Sequence, residues 1–281
     1  MSAATVGARA RRARPGAGVA IGLVLVAVPL LSALLGPFLV GPLGLVAPTG
    51  TDALLPPGSG FVLGTDALGR DVLGLALTGG TTVVGLTLGA LACAYAVGMP
   101  LGLVLAATGR RGLEGLALRA LDVLLVLPSL LVLLVLAATG RRGIGWLVLA
   151  VALVQLPSVV RLVRSAAAAP TQRPALEAMT MSGEPWWRVH LLESGRAVLG
   201  PVLVDAGTRA VLVLSLLASA NFLGVGLAPD STDWAVVIEQ NTSSLFLAPA
   251  SLLVPASLLV ALCAGINLLV DRRLDRDGGA L

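Results

Sequence analysis

The sequence predicts an all-α membrane protein with six transmembrane helices. Two observations carry that expectation. The 281-residue chain is 57% hydrophobic and only 12% charged, with a mean hydropathy of +0.96; a soluble domain carries about 25% charged residues and could not cover so apolar a composition with polar surface. The apolar residues also fall in separate runs of about 20 residues, the length a helix needs to cross a bilayer, and the arginines cluster in the segments between them.

The first span is residues 19–40, preceded by a tail, 1–18, that carries Arg9, Arg11, Arg12 and Arg14. At 1.5 Å per residue it is about 33 Å long, beyond the 7–15-residue core of a cleavable signal peptide, so it reads as a retained first helix. Residues 41–81 follow, rich in Gly and Pro and carrying Asp52, Asp66 and Asp71. They are too polar for the bilayer and too long for a turn, so they read as an extracytoplasmic segment. Further spans are expected at 82–107, 116–138, 144–163, 198–220 and 249–270. With the loop 164–197 these make a five-helix core, 82–270, followed by a tail, 271–281. Gly85 with Gly89, and Gly98 with Gly102, have the spacing that lets helices approach closely. Pro100, Pro128 and Pro157 predict kinks.

Orientation follows from the arginines. The N-terminal tail, the turn near Arg110, Arg111 and Arg119, the loop holding Arg161, Arg164, Arg173, Arg188 and Arg196, and the tail with Arg272, Arg273 and Arg276 share one side of a six-span chain. The other side receives Arg70, Arg141 and Arg142. Both termini are therefore expected in the cytoplasm of a multi-pass plasma-membrane protein. Arginines so placed mark topology rather than a nucleic-acid face.

Chemistry-bearing residues are sparse. His190 is the single histidine, and Cys93 and Cys263 lie inside apolar runs, where they read as small hydrophobes. No metal site, nucleophile–base pair or catalytic cofactor site is predicted, so the chain is read as non-catalytic. The polar groups inside the spans are few. Arg119 with Asp122, and Asp205 with Arg209, are spaced for pairing on one helix face. Gln155 lies near the middle of a span; it either bonds a neighbouring helix or lines a pathway. Asn221 is a second pathway candidate. A proton-coupled transporter working alone needs a mid-membrane titratable chain, which this sequence lacks, so the energy for transport must come from a partner.

The loop 164–197 is where a partner would dock. It reads as helix, break at Pro170 and Pro174, a short helix ending at Gly183, then an apolar stripe of Trp186, Trp187, Val189, Leu191 and Leu192 beside Arg188. An interfacial helix lying on the membrane and a helix seated in a soluble subunit fit this pattern equally.

At this loop the sequence resembles the permease subunits of bacterial ABC importers, in which Glu-Ala-Ala followed by Gly marks the coupling helix; here the run is Glu177-Ala178-Met179-Thr180-Met181-Ser182-Gly183. Leu63-Gly64-Thr65-Asp66-Ala67-Leu68-Gly69-Arg70-Asp71-Val72-Leu73 is similar to a stretch of the dipeptide, oligopeptide and nickel permeases, in their second, C-type subunit. So are 118–129 (through Arg119, Asp122, Pro128 and Ser129), Arg161-Leu162-Val163-Arg164, and Asn221-Phe222-Leu223-Gly224-Val225-Gly226 with Asp233-Trp234. Three departures stand out: Met179 replaces the second Ala, no Leu-Pro follows Gly183, and Ala235 follows Trp234 where Gly is usual.

The resemblance implies a type I importer-like fold and a translocation path shared with a second permease. It implies one or two cytosolic ATPases that bind ATP and Mg, an extracytoplasmic binding protein, and docking through Glu177, Ala178, Gly183, Trp186, Trp187 and Arg188. The chain has no Lys, hence no Walker lysine of its own. Di- or oligopeptides are the expected cargo; nickel or another small solute is the alternative, and an ion-coupled secondary transporter is a more distant one.

Overall fold

The computed structural model describes residues 15–43, 52–108, 111–140, 143–169, 173–224 and 226–278. Arg9, Arg11, Arg12, Arg14, Arg110, Arg141, Arg142, Pro170 and Val225 lie outside them. Among the described residues all regular structure is helical, apart from one isolated antiparallel bridge between Thr65 and Asp71. The helices are α1 (Pro15–Val40), α2 (Val72–Thr108), α3 (Arg111–Val126), α4 (Ser129–Ala138), α5 (Ile144–Ala167), α6 (Arg173–Met181), α7 (Ser194–Phe222), α8 (Trp234–Gln240) and α9 (Pro249–Gly278). A π-helical turn, Arg188–Glu193, runs straight into α7.

Five of these helices are long and apolar enough to cross a membrane, and α3 with α4 makes a sixth if that bent pair is one span. α1 runs antiparallel to α9 and α2: Gly18 lies against Arg272, Gly22 against Leu269 and Gly36 against Leu77. The start of α1, the end of α2, the end of α5, the start of α7 and the end of α9 thus share one end of the bundle, called here the terminal end. The opposite end is the distal end.

The second span differs from its expected bounds. α2 begins ten residues before residue 82, because Asp71 caps it: Asp71 Oδ1 accepts the Leu73 N–H at 3.0 Å. Gly79-Gly80 reads as a break in the sequence, yet it is a slot in a continuous helix. A Cβ on Gly80 would lie 2.5 Å from the Trp234 ring and 2.8 Å from Ala33 Cβ.

The third span is broken. α3 and α4 meet at 76° across Leu127-Pro128; the proline ring disfavours helical backbone at Leu127 and removes a donor at its own position. Pro100 and Pro157, also expected to kink, sit inside the uninterrupted α2 and α5.

α2 is the central helix, packing on α1, α5, α7, α8 and α9. Its most extensive packing is against α5. A Cβ on Gly98 would lie 2.7 Å from Val159 Cγ1, and one on Gly102 would lie 2.8 Å from Val163 Cβ and 2.9 Å from the Val160 carbonyl. The Gly85 and Gly89 pair brings no helix of this chain so close: a Cβ on Gly85 would meet nothing within 4 Å, and one on Gly89 would meet only Val148 at 3.7 Å. The main core joins Leu86, Ala90 and Leu91 of α2 to Leu133 of α4, Val151 of α5 and Val213 and Leu217 of α7. Large apolar side chains face outward along α1, among them Leu23, Val24, Leu31 and Leu34. Such a surface suits lipid and not water.

Candidate functional site

At the distal end, two stretches far apart in sequence, 52–76 and 221–241, close into one clasp. Gly64 and Gly69 adopt left-handed backbone (φ +80° and +73°) that lets 63–71 fold back on itself. Inside that fold Asp66 is fully buried. Its Oδ1 accepts the N–H groups of Leu68 (2.9 Å) and Arg70 (2.7 Å), and its Oδ2 accepts Arg70 Nε at 2.8 Å. Arg70 Nη2 then donates to Gln240 Oε1 at 2.7 Å, and the Ala67 N–H donates to Asn241 Oδ1 at 2.9 Å, so the loop is pinned to the end of α8. Thr65, also fully buried, accepts from Leu55 N–H (2.8 Å) and donates to the Asp52 carbonyl (2.9 Å).

The other half of the clasp joins α7 to α8. Asn221 Nδ2 donates to Asp233 Oδ1 at 3.1 Å, and Asn221 Oδ1 accepts the Leu227 N–H at 2.9 Å. Asp233 caps α8 by accepting the Ala235 N–H at 2.9 Å. Its Oδ2 is buried without a hydrogen-bond partner. Burial raises the Asp233 carboxyl to about 6, against the lowering pull of the Ala235 N–H, Asn221 and the Val236 N–H. Burial likewise raises Asp71. Trp234, fully buried, donates Nε1–H to the Ala76 carbonyl at 2.9 Å and ties α8 to α2.

Within the spans, one polar cluster joins α2, α5 and α7. Asp205 Oδ2 accepts Tyr95 Oη at 2.6 Å and Arg209 Nε at 2.5 Å, and Arg209 Nη1 donates to Gln155 Oε1 at 3.1 Å. The Asp205–Arg209 pair is present as spaced. Gln155 is buried and bonds a neighbouring helix, and Asn221 is buried in the clasp. Tyr95, the single tyrosine in the sequence, completes the cluster and was missed; a lone phenol in an apolar span was the available signal.

The expected Arg119–Asp122 pair is replaced by another. Asp122 pairs with Arg161 of α5, and Glu114 of α3 pairs with Arg164 of α5, while Arg119 is exposed. Two arginines one turn apart on α5 therefore anchor α3 ahead of the sharp bend that ends it. Spacing within one helix found the wrong partner because it is blind to the helix packed alongside.

At the terminal end, α6 and the following turn stand out from the bundle. α6 stops at Gly183 (φ +80°), where the Gly183 N–H donates to the Thr180 carbonyl and the Glu184 N–H to the Met179 carbonyl, the pair of bonds of a Schellman cap. Glu177, Ala178 and Gly183 are exposed, and Met181 is 89% exposed. Arg188 pairs with Glu184 at 2.8 Å, and Trp186 stacks obliquely on His190 with centroids 5.4 Å apart. Trp186 and Trp187 are each about half exposed. The result is a knob with apolar side chains outward, linked by the π-helical turn to α7.

Comparison with known proteins agrees with this architecture. The sequence profile of the binding-protein-dependent transport system inner membrane components matches residues 98–276. The chain is 27% identical over 264 residues to the dipeptide transport system permease protein DppC of Haemophilus influenzae, covering 90% of this chain and 88% of that protein. It is 26% identical to the probable D,D-dipeptide transport system permease protein DdpC of Escherichia coli (79% and 74% covered). It is 27% identical to the di/tripeptide transport system permease protein DppC of Pseudomonas aeruginosa (75% and 69% covered).

Proposed function

The chain belongs to the family of binding-protein-dependent transport system inner membrane components, as a permease subunit of an ABC importer, and from that premise we propose that its cargo is a di- or oligopeptide. The observation that carries the cargo reading is the run of relatives named for peptides along most of the chain's length. The chain forms half of the translocation path, and a second, homologous permease forms the other half. The terminal end faces the cytoplasm, a reading supported by the distribution of arginines. One or two cytosolic ATPases, holding ATP and Mg, dock there, and an extracytoplasmic binding protein delivers cargo to the distal end.

The residues of this chain do mechanical work. α6 and the knob after it, through Glu177, Ala178, Gly183, Trp186, Trp187 and Arg188, seat in the ATPase. Exposed tryptophans just after a short capped helix suit such a contact, since buried aromatic anchors dominate interface energies. ATP binding pulls the ATPases together and shifts the knob, and the rigid run from Arg188 to Phe222 carries that shift the length of the bundle. Transport is then a population shift between two accessibilities, driven by differential binding of the ATPase states.

The test is reconstitution. The chain is co-expressed with a candidate ATPase, second permease and binding protein and placed in proteoliposomes, and ATP hydrolysis and uptake of labelled di- to hexapeptides are measured. Glu177→Arg and Gly183→Trp are expected to abolish peptide-stimulated uptake in an assembled complex. Uptake indifferent to both substitutions removes coupling from α6, and uptake driven by a proton gradient without the ATPase overturns the reading as a whole.

A further inference from the structure

α1 and α7 both pack on α9, but they scarcely touch each other. Between them, over the last turns of α9, the terminal end of the bundle holds a groove of about 490 Å³. Its walls are apolar: Leu23 of α1, Leu203 and Val204 of α7, and Ile266 and Leu269 of α9. Leu23 and Leu203 are 54% and 63% exposed, so the groove opens sideways, towards the membrane. One cation stands in its lining. Arg272 lies beside Gly18, where a Cβ would come within 2.5 Å of its guanidinium. No acidic side chain pairs with Arg272 among the described residues.

We propose that this groove binds an anionic phospholipid, one acyl chain lying between α1 and α7 and the phosphate held by Arg272. Three features select that occupant. A helix from a protein partner would satisfy the walls but leave the guanidinium against apolar surface, which is costly without a counter-charge. A phospholipid supplies both parts, hydrocarbon and a phosphate oxygen that accepts from the planar guanidinium. The headgroup is anionic because, among the described residues, Arg272 is the one charged residue in the groove lining and no acidic side chain there neutralises it, so a net negative group, not a zwitterion, balances it. Basic pockets between helices at a membrane interface hold anionic headgroups on the same grounds.

The test uses the full chain purified with its partners in nanodiscs doped with either photoactivatable phosphatidylglycerol or photoactivatable phosphatidylcholine. Labelled peptides are mapped by mass spectrometry, a readout independent of transport. Phosphatidylglycerol is expected to label the Leu203–Val204 peptide and the end of α9 about five-fold more than phosphatidylcholine, the increment of one basic residue near a membrane surface. Arg272→Gln removes that preference and Arg272→Lys keeps it, whereas Val204→Trp fills the groove and lowers labelling by both lipids. Equal labelling by the two lipids in the wild type, or a preference that survives Arg272→Gln, overturns the site and leaves only the lipid annulus. A photo-cross-linking residue at Leu203 that captures the second permease instead of lipid also overturns it, by showing a protein helix in the groove.

Discussion

Asp233→Asn is the most informative single change in the distal clasp, because its effect depends on pH in a calculable way. The Asp233 carboxyl titrates near 6 in the folded chain, against 3.8 when unperturbed. Between those values the folded state binds more protons than the unfolded state, so stability falls as pH rises through the window and levels off above it. At 1.36 kcal/mol per unit, ionised Asp233 costs the fold about 3 kcal/mol at pH 7.5, of which about 2 kcal/mol accrues above pH 4.5. Asparagine keeps an acceptor for the Ala235 N–H and never ionises. Its amide brings buried donors where Asp233 Oδ2 already lacks a partner, at about 1–3 kcal/mol. The absolute effect at one pH is therefore small, but the change with pH is not. Unfolding of the purified chain in detergent, titrated with SDS at pH 4.5 and 7.5, is expected to favour the variant by about 2 kcal/mol more at the higher pH. A difference between variant and wild type that is the same at both pH values refutes the reasoning, and with it the buried, ionisable state of Asp233.

The remaining predictions concern packing and anchoring. Gly98→Val drives a branched side chain into Val159 and is expected to lower stability by roughly 1–3 kcal/mol, while Gly85→Ala, with open space around it, raises it by roughly 0.5–1 kcal/mol; thermal midpoints of the two variants check the contrast. Reversing one charge of the Glu114–Arg164 pair (Arg164→Glu) is expected to lower the midpoint, and adding Glu114→Arg to restore it, with a coupling of about 0.2–1 kcal/mol in a double-mutant cycle. Tyr95→Phe removes the bond to Asp205 for about 0.6 kcal/mol, the mean for hydrogen bonds between membrane helices. Trp186→Ala with Trp187→Ala leaves the midpoint unchanged, since both rings are half exposed, but lowers co-purification of the ATPase by about 30-fold, as loss of an anchor worth about 2 kcal/mol requires.

How much of this was legible in the sequence depends on the range of the interaction. The spans could be read because hydropathy is local: a bilayer tests each helix separately. The start of α2 could not, since Thr78, Gly79, Gly80, Thr81 and Thr82 look like a loop until Trp234, far along the chain, is seen lying on the glycines. Pro128 announced a bend, but its 76° angle goes with an α3 held by Arg161 and Arg164, and no helical spacing around Asp122 or Glu114 contains them. The motif residues Asp66, Arg70, Asn221 and Asp233 were visible as a pattern in order along the chain. Their joint use in one clasp was not, because Arg70 with Gln240 and Ala67 with Asn241 are contacts between opposite halves of the sequence.

That arrangement also separates two jobs that a motif comparison alone would merge. The polar residues carrying the resemblance at the distal end, Asp66, Asn221 and Asp233, are buried and hydrogen-bonded within the clasp, so they brace the helix ends. α7 connects them to the knob. It begins at the π-helical turn behind Trp186 and Trp187, passes Arg209 in the polar cluster midway, and ends at Asn221 in the clasp. A displacement of its first turn cannot be absorbed by a loop, because none lies between Arg188 and Phe222. It must be taken up in the polar cluster, at Tyr95–Asp205 and Arg209–Gln155, or in the clasp at Asn221–Asp233, the two places where α7 holds its neighbours by directional bonds instead of interchangeable apolar contacts. A shift of about an ångström breaks a hydrogen bond but merely slides a leucine. On the proposed coupling, those bonds decide whether movement at the ATPase end reaches the distal end or is lost on the way.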